Sequence, residues 1–185
     1  MKNLFTYLLV FIAVGLSSNV KAQSGASVNA SAGASIVVPM KLSEKNSLNF
    51  GTSTKQVGLG GSVVLSTGDA SRDFNGGVSA SSIGESPSNA IFEISGTHNK
   101  SYSITLPSSI TIAESGSSTM IIDDLKVRFV NTTGDILINE GNNSLSQVLS
   151  DNGTSSFRLG GKLNIDSDQE AGMYSGTYVV MVDYN

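Results

Sequence analysis

Apolar and polar side chains alternate with a period of two through most of the chain, and turn residues interrupt the alternation about every 8–12 positions. Because successive side chains of a β-strand point to opposite faces, this period indicates strands with one buried face. Only Ser144–Ser150 also tolerates a short helix, which is too short to change the class. The pattern predicts an all-β sandwich or barrel. The shorter predicted strands are Ser47–Gly51, Ser62–Ser66, Phe74–Ser79, Ala90–Ser95, Ser101–Leu106, Ile110–Ala113, Lys126–Val130 and Asp135–Asn139.

The longest alternating segment is Ala26–Val38, where alanine, valine and isoleucine occupy every second position. It exceeds a typical strand of about 5–6 residues, so two interpretations are open. It forms the first strand of its own sheet, or it reaches beyond its own domain and adds to a sheet edge of a neighbouring molecule. For an isolated monomer the first interpretation is favoured, because each alanine buries little surface, worth about 0.8 kcal/mol per methyl-sized group.

Two further strands are predicted near the C-terminus. Ser155–Asp166 contains Gly160-Gly161, which could be the loop of a hairpin. A hairpin would mix apolar and charged residues on both faces, whereas one continuous strand keeps an intact apolar face, so we expect a continuous strand with a bulge or bend at the glycines. Tyr174–Tyr184 is apolar on both faces over Tyr178–Val182. We expect it to pair antiparallel with Ser155–Asp166, inside a sheet, and to close the fold.

The first 22 residues have the pattern of a secretory signal peptide. Lys2 precedes an apolar stretch from Leu4 to Leu16, and Val20-Lys21-Ala22 predicts cleavage between Ala22 and Gln23. The stretch is about 13 residues long, shorter than the roughly 20 that a bilayer span requires. We therefore expect residues 23–185 to form a single exported β-sandwich domain without a stable membrane anchor. The expected location is periplasmic, cell-surface or extracellular in a Gram-negative bacterium.

Charge and cysteine content exclude several classes of function. Without Lys2 and Lys21, nine basic residues remain against fifteen acidic ones, a net charge of −6. A chain without a basic surface cannot neutralise phosphates, which argues against nucleic acid as a partner. The chain has no cysteine, so disulfides, thiol chemistry and cysteine metal sites are also excluded.

Residues suited to catalysis do not form a recognisable set, and we predict that the protein is not an enzyme and binds no cofactor. His98 is the single histidine, and its position between two strands favours an exposed turn residue over a catalytic base. Asp123 and Asp124 are adjacent, so on a regular strand they would face opposite ways; a turn before Leu125 is the expected structure.

The weak candidates for a cation site are Asp166, Asp168 and Glu170. Their alternating spacing could gather oxygen ligands for calcium, although the glycine and the distal glutamate of a calcium loop are missing. Carbohydrate recognition usually requires aromatic platforms, and the chain has no tryptophan. Tyr174 is the aromatic ring that we expect to be most exposed.

Several motifs, in order, resemble a known family. Ile36-Val37-Val38-Pro39, Leu48-Asn49-Phe50-Gly51, Tyr102–Pro107 and Ala171–Asn185 are similar to the motifs of the secreted bacterial family "domain of unknown function 4402". More distantly, the first and last strands resemble spore-coat-U-type and chaperone–usher pilus subunits. That resemblance implies a single immunoglobulin-like antiparallel β-sandwich with a C-terminal closing strand, and terminal strands that complete neighbouring subunits.

These observations lead to two functional hypotheses. The first is a secreted, non-enzymatic structural or interaction protein, such as a cell-surface or fimbria-like subunit that contacts other copies or related secreted subunits through Ala26 to Val38. The alternative is a monomeric adhesin or carbohydrate-binding β-sandwich module. The two differ in whether Ala26–Val38 leaves its own molecule.

Overall fold

The structure of the protein is a computed structural model, and it describes residues 26–115 and 118–185. The chain divides into two units, with the boundary after Ser35. In the first unit, residues 26–35 are exposed and belong to no helix or strand. All the strands found among the described residues lie in the second unit. The predicted signal peptide and its cleavage site between Ala22 and Gln23 lie outside the described residues.

The prediction that Ala26–Val38 forms the first strand of its own sheet is wrong. Residues 26–40 belong to no strand, and the first strand begins at Lys41. Val28 is 88% and Ile36 94% exposed. Alternation shows which residues share a face, but small side chains contribute little burial to hold that face against a core.

The second unit is all-β, and the described residues contain no helix. Ser144–Ser150, which tolerated a helical interpretation, forms a strand over most of its length. None of the described residues forms a helix long and apolar enough to span a membrane. The strands are β1 (Lys41–Asn46), β2 (Ser53–Lys55), β3 (Gly61–Leu65), β4 (Arg72–Gly76), β5 (Val78–Ala80), β6 (Ala90–Ser95), β7 (Ser101–Thr105), β8 (Ile110–Ala113), β9 (Thr119–Phe129), β10 (Ile136–Leu137), β11 (Ser144–Val148), β12 (Thr154–Ile165) and β13 (Met181–Tyr184).

Three predicted strands differ from those observed. Ser47–Gly51 makes only a single bridge, from Asn49 to Ser88. Phe74–Ser79 divides into β4 and β5, because Gly76 takes a positive φ of 71° and turns the chain. Lys126–Val130 is the final part of the longer β9.

Two long strands, β9 and β12, form the centre of an eight-stranded antiparallel sheet. β12 pairs with β9 along one edge. Along its other edge it pairs first with β6 and then with β3, so the sheet divides into two halves. β1 extends the half that begins with β6, and β4 extends the half that begins with β3. β8 and β10 both pair with the outer edge of β9.

A smaller sheet, in the order β11-β7-β13, shares one hydrophobic core with the large sheet, in a sandwich-like arrangement. Tyr102 and Ile104 of β7 are completely buried. The Tyr102 hydroxyl donates to Ser155 Oγ of β12 at 2.7 Å and so links the two sheets. The short strands β2 and β5 form a separate pair. The predicted all-β, antiparallel sandwich class is confirmed.

The continuous strand predicted over Ser155–Asp166 is confirmed as β12. Its buried side chains alternate from Phe157 through Leu159 to Leu163, while Arg158 and Lys162 face outward. Phe157 is fully buried, with its ring centroid 5.0 Å from that of Phe92 and 6.0 Å from that of Phe129. The register against β9 shifts between Gly160 and Lys162, as expected of a bulge.

The predicted turn at Asp123 and Asp124 is wrong, because both residues lie inside β9. Asp124 takes a positive φ of 45°, which inserts one extra residue into the alternation. The buried residues on either side, Ile122 and Leu125, are therefore three positions apart instead of two. As a result both carboxylates reach the same cation, Lys162 of β12.

The predicted pairing of Tyr174–Tyr184 with Ser155–Asp166 is also wrong. Only residues 181–184 form a strand, β13, and it pairs with β7. Both edges of β12 are already occupied by other strands, so no edge remains for the C-terminal strand. β13 lies at an edge of the small sheet, and not inside a sheet as its apolar faces predicted.

Candidate interaction site

The C-terminal segment covers the core but is itself covered on one side only. Tyr178, Val180, Val182 and Tyr184 pack against the core and remain half-buried. Their counterparts on β7 are completely buried, because β7 has a strand on each side. On the opposite face, Val179 is 69% and Met181 53% exposed. This edge of the small sheet is therefore apolar and open, an arrangement that favours strand addition.

The large sheet contributes a second row of half-buried residues beside this edge. Met40, just before β1, and Leu42, within β1, also pack against the core without being fully buried. Phe92, whose register partner in β1 is Glu44, makes an edge-on contact with the Tyr178 ring at 6.4 Å. The strip between these rows, here called the seam, is lined by Met40, Leu42, Tyr178, Val180, Val182 and Tyr184.

One end of the seam widens into an open hollow of about 340 Å³. One wall is lined by Val37, Pro39 and Met40, and the other by residues 182–184. Its lining is mainly apolar, with Asp183 as the charged residue. The hollow therefore has room for apolar side chains of an added segment.

A small hydrogen-bond network, here called the clasp, fixes the chain at this end. The Val38 amide donates to Thr97 Oγ1 at 2.7 Å, and the Tyr184 hydroxyl donates to the Val38 carbonyl at 2.6 Å. The Thr97 amide in turn donates to the Tyr184 hydroxyl at 2.6 Å. Gly96 lies against this hydroxyl, where any Cβ would collide with it. Tyr184 of β13 thus fixes the position of the main chain at Val38.

The Tyr178 hydroxyl is a buried donor without a hydrogen-bond partner within the described part of the chain. Its pKa is raised, first because burial disfavours the charged phenolate and second because Glu44 carries a nearby negative charge. The group therefore stays neutral and keeps its proton. An unpaired buried hydroxyl is unfavourable by about 1–3 kcal/mol.

A second polar cluster lies where the large sheet divides, and it has a structural role. Asn89 is buried and donates to the Thr67 carbonyl at 2.9 Å, across the gap between β3 and β6. Asp135 accepts from Thr67 Oγ1 at 2.6 Å and from Arg128 Nε at 2.7 Å. Arg158 donates to the carbonyl of Gly68. These bonds hold the loop after β3.

Asp135 makes the stability of this loop dependent on pH. Its hydrogen bond from Arg128 lowers the pKa of the carboxyl group, and the bond from Thr67 contributes in the same direction. A lowered folded-state pKa adds stability above the unfolded-state pKa, and the contribution is lost as pH falls through the folded value.

We therefore expect Asp135→Asn to lower the free energy of unfolding by about 1 kcal/mol at pH 7, since the pair is partly exposed. The difference from the wild type should shrink below about pH 4, where the wild-type carboxyl group also becomes protonated. Urea unfolding at both pH values measures it. A difference that is equal at the two values would contradict the electrostatic role.

Asp123, Asp124 and His98 are not among the residues that line the seam. Lys162 Nζ lies 2.6 Å from Asp124 Oδ2 and 3.1 Å from Asp123 Oδ1. Asp124 first, and then Asp123, raises the pKa of Lys162, so the lysine remains charged and the three residues form an ion-pair cluster. His98 is exposed in the turn between β6 and β7, where it was expected.

Asp166, Asp168 and Glu170 are exposed in the loop after β12. Among the described residues, no group of three or more acidic, histidine or cysteine side chains has the arrangement of a metal site. Lys55 Nζ already donates to the Ser167 carbonyl at 2.6 Å, which places a cation on this loop.

Tyr174 is half-buried, and not the exposed ring that was expected. Its hydroxyl donates to the Glu170 carbonyl at 2.8 Å and contacts Ser118 Oγ at 2.9 Å. Gln169 also donates to it. The network holds the ring in the loop, where it is not available as a flat platform.

Neither the seam nor the clasp was predicted from sequence. The alternation placed Tyr178, Val180, Val182 and Tyr184 on one face, but no pattern indicated that one flank of this face stays open. A terminal strand with two apolar faces was the one available signal. That signal predicts burial between two strands, whereas the structure leaves Val179 and Met181 exposed on one face.

Comparison with protein families gives one match, and the two other comparisons give none. A family model described as Domain of unknown function (DUF4402) matches residues 40–184. No curated protein and no solved structure matches the chain. The matched region contains the thirteen strands of the described residues and excludes Ala26–Val38.

Proposed function

We propose, from the premise that the chain belongs to the family described as Domain of unknown function (DUF4402), that it is a secreted, non-enzymatic structural protein. In this proposal it is a cell-surface or fimbria-like subunit that associates with other copies, or with related secreted subunits. Residues 26–38 provide the contact, by adding as an extended strand to a neighbour.

The observation that carries the proposal is the state of the segment between residues 26 and 38. It alternates apolar and polar residues as a half-buried strand does, yet its large apolar side chains are exposed: Val28 at 88%, Ile36 at 94% and Val38 at 57%. The alternation is typical of a strand with one buried face, yet these side chains are exposed. This combination supports a role in contact with another molecule. Strand addition uses such a pattern, because main-chain bonds supply affinity and alternate side chains enter the partner.

The charged groups of the second unit also fit a structural role. Arg128 pairs with Asp135, and Lys162 pairs with Asp123 and Asp124. Each pair joins neighbouring strands of the large sheet or the loop beside them. The ion pairs therefore cross-link the sheet, as expected of a stable scaffold.

Light scattering tests the proposal on the mature chain, residues 23–185, and on the same chain without Ser24–Gly33. We expect concentration-dependent assembly of the mature chain and a folded monomer after the deletion. Ala30→Asp should prevent assembly, since it places a charge on the apolar face. The matched control Ser31→Asp changes the polar face and should leave assembly intact.

If both forms are equally folded monomers at all concentrations, the proposal fails. The protein would then be better described by the alternative, a monomeric adhesin or carbohydrate-binding module. Equal assembly of both forms would also contradict it, because the contact would not depend on the deleted residues.

A further inference from the structure

We propose that the surface which accepts the added strand is the seam, and that residues 26–36 of a second copy, which precede the clasp of that copy, lie along residues 177–184. This inference rests on the proposed function and assigns the site of contact. It commits to one of several strand edges of the molecule, so it can fail while the proposed function holds.

The main chain beside the seam is available for pairing. Residues 181–184 pair with β7 on one side, and within the described residues no strand lies on their other side. Residues 177–180 belong to no strand, although Tyr178 and Val180 cover the core. An incoming strand would continue the small sheet to a fourth strand and lengthen its edge.

The core is incompletely covered at this edge of the small sheet. It is much better covered at the opposite edge. On β11, the other edge strand of the small sheet, the inward Leu145 is 6% exposed and the neighbouring Leu149 1%. On the C-terminal edge, all four inward side chains are half-buried, and Met40 and Leu42 face them in the same state. Further burial is therefore available in the seam, at about 25 cal/mol for each Å² of apolar surface.

The chemistry of residues 26–36 fits this position. The segment has no charged residue, so nothing on it requires solvation or a counter-ion when it enters an apolar strip. Its central inward residues are the alanines at positions 30, 32 and 34, which are small enough to lie between two rows of larger side chains. The flanking Val28 and Ile36 supply larger side chains, for which the hollow of about 340 Å³ has room.

The length of the segment is also compatible. At about 3.3 Å per residue, the eight residues 177–184 extend over roughly 26 Å and the eleven residues 26–36 over roughly 36 Å. One segment can therefore cover the whole edge with residues to spare.

Engineered cysteines test the position, because the natural chain has none. Neighbouring strands present side chains of the same face to each other, so one protein carries Ser31→Cys and a second carries Met181→Cys. The matched control replaces Met181→Cys with Val148→Cys, on the opposite edge of the same sheet. The two sites are similarly exposed, Met181 at 53% and Val148 at 58%, and neither substitution disturbs the core.

After mixing at equal concentration and mild oxidation, mass spectrometry counts the disulfide-linked heterodimers. A disulfide requires Cα atoms within about 7 Å, so we expect on the order of tenfold more heterodimer with Met181→Cys than with Val148→Cys. Assembly with equal linkage at the two edges, or more at Val148, overturns the assignment and leaves the proposed function standing. Monomers by light scattering, with no linkage at either edge, overturn both.

Discussion

Gly160→Ala is expected to destabilise the protein by roughly 3 kcal/mol or more, a large effect for one methyl group. A Cβ at this position would collide with the main-chain oxygen of Leu65 and lie 3.2 Å from the Thr67 nitrogen. Gly160 faces the point where β3 ends, beside the division of the large sheet. The loop cannot move aside easily, because Asn89, Asp135 and Arg158 hold it.

Urea unfolding of Gly160→Ala measures the loss. The matched control is Gly134→Ala, since a Cβ at Gly134 meets nothing within 4 Å. Alanine normally restricts the unfolded chain and stabilises by about 0.4–1 kcal/mol at a compatible site, so the control should be neutral or slightly more stable. Equal stability of the two variants would contradict the steric role of Gly160.

Deletion of Thr177–Asn185 is expected to abolish cooperative folding. It removes Tyr178, Val180, Val182 and Tyr184, each half-buried against the core. A fully buried large apolar side chain contributes about 1.5–3 kcal/mol, so four half-buried ones contribute on the order of 3–6 kcal/mol. Domain stability is typically about 5–15 kcal/mol, and the deletion also exposes Tyr102 and Ile104 of β7.

Circular dichroism on heating and limited proteolysis measure this effect. The control deletes residues 26–35, a segment of similar length that is exposed and belongs to no strand. At a concentration where the mature chain is a monomer by light scattering, the thermal transition of the control should match that of the mature chain. A compact product with a cooperative transition after the C-terminal deletion would show that β13 is dispensable.

Much of the fold could be predicted from local pattern. Ala90–Ser95 and Ile110–Ala113 coincide with β6 and β8, and β12 is continuous with its bulge at the predicted glycines. In each of these strands, the alternation of apolar and polar residues is enough to predict which side chains are buried. The family resemblance is confirmed by the match over residues 40–184, whereas the more distant resemblance to pilus subunits stays a prediction.

The failures share one physical cause, since a sequence pattern carries no information on which segment will lie beside each strand. Asp123 and Asp124 were expected in a turn because a regular strand would separate them, and only the pairing of β9 with β12 reveals the bulge that brings both to Lys162. The clasp joins residues 38, 97 and 184, which no local window contains.

The amino-acid sequence by itself determined that this protein is an antiparallel β structure, and which residues of each strand face its core, because the two faces of a strand differ in composition. Only the tertiary structure decided where each strand lies. β12 was already paired on both edges, so the C-terminal strand was left at the rim of the small sheet. Its half-buried side chains became the seam, since burial depends on neighbours on both sides, and a strand's own sequence specifies neither neighbour.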